Sequence, residues 1–160
     1  MQNAASSCVR TMEIFLRDSS PKLTTWHVPF YILATTALEL FPKIVLSRLQ
    51  QNGEPIPQII KAFKKFGHKL DLIYSSKGVG DDFLLKTRIS KVVKVSDQDQ
   101  FVYRFDFYHN EAGRPIQIYD MESLRYGFMA GEKSNAGIVA YQFDELLSLC
   151  QSVEKAANIK

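Results

Sequence analysis

The sequence has only two cysteines in 160 residues, Cys8 and Cys150. Two scattered thiols are too few for a disulfide scaffold or a zinc knuckle, and they favour a thiol-reduced compartment. No apolar run approaches the ~18 residues of a membrane span. The opening residues, MQNAASSCVR, lack the basic stretch followed by an apolar stretch that marks a signal peptide. We therefore expect a cytoplasmic protein with no membrane partner.

Metal ligands and phosphate-binding motifs are also scarce. His27, His68 and His109 each lack a second ligand at helical spacing, whereas tetrahedral zinc needs several converging ligands. Residues 78–80 (GVG) are not followed by Lys-Ser or Lys-Thr, so they are neither a P-loop nor a dinucleotide fingerprint. No Gly-x-Ser-x-Gly nucleophile motif is present. We expect no metal site and no cofactor.

What is present is the composition of an ordinary folded domain, with 46% hydrophobic, 23% charged and 12% aromatic residues. These values exclude a disordered chain and a collagen-like repeat. A chain of this length can bury roughly 70% of the surface that its unfolded form exposes. No internal repeat divides the sequence, so we expect one domain spanning residues 1–160.

Positive charge is concentrated in the middle of the chain. The net charge is +3, but the stretch from Lys43 to Lys94 holds eleven Lys and Arg against four Asp and Glu. Such a basic stretch can attract an anionic polymer, although a solvated helix face is the alternative reading. The candidate nucleic-acid-binding residues are Lys61, Lys64, Lys65 and Lys69.

Four segments carry apolar residues at alternating spacings of three and four, the pattern of one buried stripe on a helix. The first runs from Ala4 to Arg17, and the last from Val139 to Val153 with Cys150 on its stripe. The two middle stripes are Trp26, Phe30, Leu33, Ala37, Leu40 and Ile44, and Ile59, Phe63, Phe66, Leu70 and Ile73. The pattern predicts a predominantly helical protein.

Two residues interrupt the middle stripes. Pro42 removes a backbone hydrogen bond and crowds the Leu38 carbonyl, so we expect a kink or a local break there. Gly67 is unfavourable inside a helix and is expected to join two shorter helices, with His68 near the start of the second. A further helix is expected over residues 81–95, because two acidic residues at its head suit the helix dipole.

Residues 101–119 allow two readings. Strict alternation of Phe and Tyr over 101–108 favours a strand, with residues 113–115 as a turn and 116–119 as its partner. Helical spacing groups Phe101, Phe105 and Tyr108 instead, and Ser96 with Asp99 resembles a capping box. Residue preference alone favours the hairpin.

Three short motifs in order resemble the HEPN superfamily. They are Ala37-Leu38-Glu39-Leu40 with Lys43, Gly67-His68-Lys69-Leu70, and Leu124-Arg125-Tyr126-Gly127. The sequence departs from the family pattern at Pro42, at Lys69 in place of Asp, at Gly127 in place of Pro, and in a longer stretch before the last motif. The resemblance covers about residues 28–153 and indicates a divergent member.

The resemblance implies an all-α, up-and-down bundle of five or six helices that forms a homodimer, with an irregular crossing before the last helix. It also implies a helix over residues 101–108, which we expect against local preference. Many members are metal-independent ribonucleases with an Arg-x4-His pair, matched here by Arg104 and His109. Histidine can transfer a proton near neutral pH, and arginine can hold a phosphate.

The sequence leaves three expectations for function. The first is a HEPN-like interaction or nucleic-acid-associated module without catalysis, binding RNA or a partner protein. The second is a toxin-like ribonuclease that uses Arg104 and His109. The third is a plain interaction subunit in which the basic middle is only a solvated face. Glu39, Lys43 and His68 are expected to be structural, with Glu39 paired to Lys43 and His68 bonded to backbone, and a polar functional site between the two helices is the alternative. Arg125 and Tyr126 are expected to dock the irregular crossing on the bundle.

Overall fold

The chain folds into α-helices and a small β-sheet. The computed structural model describes residues 1–18, 27–50, 61, 63–97, 100–108, 115–119 and 143–158. Residues 63–66 are helical. The other elements, in chain order, are α1 (Gln2–Asp18), α2 (His27–Gln50), α3 (Leu70–Tyr74), α4 (Gly80–Thr87), β1 (Ile89–Asp97), β2 (Gln100–Phe107), β3 (Ile116–Tyr119) and α5 (Phe143–Asn158).

The expectation of an all-α helical bundle is wrong. Strands β1, β2 and β3 form an antiparallel sheet with β2 in the centre, so the chain is a mixture of helix and sheet. The helix expected over 81–95 ends at Thr87, and Arg88 turns the chain into β1 through a left-handed backbone with φ 59°. β-Branched residues then dominate the strand, and they favour a pleated surface over a helix.

The helix expected over residues 101–108 is also wrong, and the hairpin that residue preference favoured is present in the sheet. In β2, Val102 pairs with Tyr119 and Phe105 with Ile116 of β3. Ser96 belongs to β1 and faces Phe101, so it does not start a helix. Alternating aromatic residues bury one face of the central strand, and this non-local pairing outweighs the helical spacing.

The three long helices lie where the apolar stripes predict them. The first and last predicted helices are confirmed as α1 and α5, and the second stripe is confirmed as α2. Helix α2 packs against both α1 and α5. On α1 the buried residues are Ala5, Val9 and Met12, whereas Cys8 and Phe15, which the predicted stripe combined with Met12, are only half-buried. On α5 Cys150 is fully buried, as its place on the stripe predicts.

Helix α2 continues through Pro42, so the expected local break is absent. It also contains a stretch from Pro29 to Arg48 with hydropathy 1.4, which is long and apolar enough to cross a membrane by length and composition alone. The expectation that no segment reaches this length is therefore wrong. Two thirds of that stretch, 67%, is buried inside the fold, as in the core helix of a soluble protein.

Aromatic rings join the sheet to the helices. Tyr31 of α2 lies edge-on to Tyr119 of β3, with ring centroids 6.2 Å apart. Tyr74 of α3 lies edge-on to Phe105 of β2 at 5.5 Å. Such edge-to-face pairs are favourable beyond the area they bury. They hold the short helix α3, and the turn that precedes it, between α2 and the sheet.

Candidate functional site

A polar network lies where α2 meets the turn before α3. Glu39 and Lys43 are on the buried side of α2, each with a side chain 9% exposed. Lys43 Nζ lies 2.6 Å from Glu39 Oε1, and this is the pairing that their spacing predicts. Taking two charges out of water is costly, so a buried pair needs further hydrogen bonds to be satisfied.

Lys43 supplies one of those bonds by reaching the turn 24 residues further along the chain. Its Nζ donates to the Gly67 carbonyl at 2.8 Å. Gly67 has φ +54°, a left-handed conformation that side chains disfavour, and its N–H donates to the Phe63 carbonyl at 3.0 Å. The expectation that Gly67 joins two short helices is confirmed, and Lys43 holds that joint in place.

Glu39 uses its second oxygen to hold the imidazole of His68. Nδ1 of His68 lies 2.7 Å from Glu39 Oε2, while the His68 side chain is 63% exposed. The bond from the His68 side chain to backbone that we expected is replaced by this contact with a carboxylate. Because a carboxylate only accepts hydrogen bonds, Nδ1 carries the donated proton and Nε2 remains for a ligand. The buried Glu39 carboxylate therefore fixes the orientation of the exposed His68 ring.

The four candidate lysines lie on both sides of this turn. Lys61, Lys64 and Lys65 are spaced as neighbours on one helix face, Lys69 follows the turn, and all four are exposed. Among the described residues none of the four forms an ion pair with an acidic side chain. We call residues 61–69 the basic segment. It presents ammonium groups beside the oriented imidazole of His68.

The sheet meets the basic segment through Tyr103. This central-strand tyrosine is almost fully buried, and its hydroxyl donates to the His68 carbonyl at 3.4 Å. Lys94 of β1 lies over the Tyr103 ring, with Nζ 5.8 Å from the ring centroid. Lys94 is thus a fifth cation, placed on the sheet next to the turn. The spacing of residues in the sequence does not predict the contact between Lys94 and Tyr103.

The candidate catalytic pair is placed differently. Arg104 lies on β2, and its guanidinium bonds the Asp106 carboxylate through Nε–Oδ1 at 3.0 Å and Nη2–Oδ2 at 3.3 Å. Two residues apart on a strand share a face, which explains the contact. His109, Arg125 and Tyr126 lie outside the described residues. Two of the guanidinium donors are therefore directed at the Asp106 carboxylate in this structure.

In the part of the chain described here, neither the thiols nor the metal-binding side chains form a second candidate site. Burial raises the pKa of Cys150, and it also raises that of the half-buried Cys8. Both thiols are therefore protonated and poorly nucleophilic near neutral pH. Within the described residues, no group of three His, Cys, Asp or Glu side chains is arranged to hold a metal ion.

Comparisons of the chain with protein families, with curated proteins and with solved structures find no match. The arrangement of the site is therefore interpreted from its own chemistry. A buried carboxylate and ammonium fix a turn, the turn carries an oriented imidazole, and exposed lysines precede and follow it along the chain. Such a surface can neutralise phosphate groups and offer a flat ring for stacking.

Proposed function

We propose that the chain is a non-catalytic module that binds single-stranded RNA on the basic segment. The observation that carries this proposal is the exposure of four lysines on one short helix and turn that Lys43 anchors through the Gly67 carbonyl. Lysine ammonium groups supply the sequence-independent part of nucleic-acid affinity by displacing counterions from phosphates. A segment that is already ordered loses less conformational entropy on binding than a mobile one.

The imidazole of His68 favours single strands over duplexes. Its ring is exposed and is aimed by Glu39, so it can stack on a base that is not paired. A duplex keeps its bases stacked on one another and offers mainly phosphates to this surface. We therefore assign the lysines to the RNA backbone and His68 to a base.

The ribonuclease expectation has weaker support. An arginine that stabilises a phosphate in the transition state must present its donors to that phosphate, and the Arg104 guanidinium is bonded to Asp106. The proposal accordingly assigns binding and not cleavage to this chain. It includes a cytosolic location, in line with two free thiols that form no disulfide, and a homodimer, which light scattering of the purified chain tests.

Binding is tested by fluorescence anisotropy with a labelled single-stranded RNA over a range of salt concentrations. Contacts to four phosphates predict that log K falls with log salt at a slope of about −3. The double variant Lys64→Gln/Lys65→Gln should weaken binding and reduce the steepness of that slope by about 1–2. The matched control is Arg10→Gln/Arg17→Gln, which removes the same charge from exposed positions of α1.

Four results would contradict the proposal. Equal weakening of binding by the two double variants would mean that only net charge matters. The proposal also fails if affinity does not fall with salt, or if His68→Ala does not weaken binding to single strands more than to duplexes. RNA cleavage without metal that His109→Ala abolishes would replace the proposed function with the ribonuclease.

A further inference from the structure

A second basic feature lies at the ends of α4 and α5. A cleft of about 410 Å³ opens between them, within the range of small-molecule sites. It draws its lining from the last turn of each helix. The lining residues are Lys86, Thr87, Arg88, Ser152, Lys155 and Ala156.

The charges around this cleft are unbalanced. Lys86 is neutralised by Asp82, whose Oδ2 lies 2.6 Å from its Nζ. Arg88 and Lys155 are exposed, and neither side chain forms an ion pair or hydrogen bond within the described part of the chain. Ser152 adds an exposed hydroxyl. The cleft therefore presents two positive charges and one hydroxyl to whatever enters it.

Arg88 occupies a backbone conformation that suits glycine better. Its φ of 59° is left-handed, and Arg88 is the single residue other than glycine with positive φ in the described ranges. The position demands this turn, because the Arg88 N–H donates to the Leu85 carbonyl and its own carbonyl accepts from Tyr108 N–H at 2.8 Å. Glycine would satisfy both backbone bonds without the steric cost. Arg88 keeps this strained backbone conformation while its side chain lines a cleft, and this combination indicates a role for the guanidinium.

We propose that this cleft binds the phosphate group of a small phosphomonoester, with Arg88 and Lys155 as its cationic partners. The guanidinium can donate two parallel hydrogen bonds to phosphate oxygens, and the ammonium adds a point charge. The Ser152 hydroxyl donates a further bond, and Ala156 offers an apolar contact for the body of the ligand. This site is separate from the basic segment and does not depend on RNA binding there.

Isothermal titration calorimetry of the full chain tests the site with AMP and ribose 5-phosphate as probes and adenosine as the probe without phosphate. Arg88→Gly is the decisive variant, because it removes the guanidinium while easing the backbone. We expect it to fold with an unchanged or higher thermal midpoint and to bind AMP at least tenfold more weakly. Lys155→Gln should also weaken binding about tenfold, whereas Lys77→Gln, an exposed lysine outside the cleft, should not.

The proposal is overturned if neither phosphate probe gives a saturable signal, or if adenosine binds as tightly as AMP. It is equally overturned if folded Arg88→Gly binds AMP as the unaltered chain does. The same variant separates this site from RNA binding. If Arg88→Gly weakens RNA binding as much as AMP binding, the cleft is part of the RNA surface and not a site for a small molecule.

Discussion

The Tyr74 hydroxyl donates a hydrogen bond to the Leu38 carbonyl at 3.0 Å, across the interface between α3 and α2. Leu38 lies four residues before Pro42, which has no N–H to give to that carbonyl. Both Tyr74 and Leu38 are buried, so water does not replace the missing bond. The side chain from a neighbouring helix thus satisfies the carbonyl that proline leaves open, and α2 continues past Pro42.

Tyr74→Phe should therefore destabilise the fold by about 1–3 kcal/mol, since it leaves a buried carbonyl without a partner. Urea unfolding followed by circular dichroism measures the effect. Pro42→Ala restores an N–H for Leu38, so Tyr74→Phe should cost less in that background. A double-mutant cycle with no coupling between positions 42 and 74 would show that the Tyr74 hydroxyl does not act on the proline gap.

Glu39→Ala should be far more destabilising than the loss of an exposed ion pair. It leaves the Lys43 ammonium buried with one carbonyl partner and releases the His68 ring, at a cost of about 3–5 kcal/mol. The matched control is Asp82→Ala, which breaks the i,i+4 pair with Lys86 at the surface and should cost under about 1 kcal/mol. Similar unfolding midpoints for the two variants would refute a structural role for the buried pair.

Alkaline pH should weaken the fold in two steps. Burial raises the pKa values of the thiols Cys150 and Cys8, and it raises the pKa values of the phenols Tyr74 and Tyr31. Above a pH of about 8.5, the unfolded chain loses the Cys150 proton while the folded chain keeps it, so stability falls as pH rises. Tyr74 adds the same effect above a pH of about 10.

The measurement is the urea midpoint at several pH values from neutral to alkaline. Each such group contributes a slope of about 1.4 kcal/mol per pH unit beyond its unfolded pKa. Cys150→Ala should make the first step shallower, with Cys8 supplying the remainder, and Tyr74→Phe should make the second step shallower, with Tyr31 supplying the remainder. A Cys150→Ala profile parallel to that of the unaltered chain would mean that the thiol ionises equally in both states.

Helices α1, α2 and α5 could be predicted because their signal is local. Apolar residues three and four apart can bury only one helix face, and the spacing persists over several turns. The Glu39–Lys43 pair belongs to the same class, since four residues along a helix bring the two side chains together. Gly67 as a joint was predictable for a similar reason, because a left-handed turn favours glycine.

The two wrong helix predictions have different causes: the helix over 101–108 is what the resemblance implies, whereas the helix over 81–95 rests on acidic residues at its head and on local helical spacing. β-Branched residues after Arg88 and alternating aromatics over 101–107 favour strands, and the structure follows them. Helical spacing of Leu85, Ile89 and Val92 arises by chance at the junction of α4 and β1. Short apolar runs satisfy both periods, so only strand pairing distinguishes them.

The sequence by itself determined the long amphipathic helices, the joint at Gly67 and the basic character of the middle segment, because each depends on neighbours within about one or two turns of the chain. Tertiary structure decided the pairing of β2 with β1 and β3, the bond from Lys43 to Gly67, and the packing of α4 against α5. These contacts join residues far apart in sequence, and they form because burial and hydrogen bonding of the whole fold outweigh local preference.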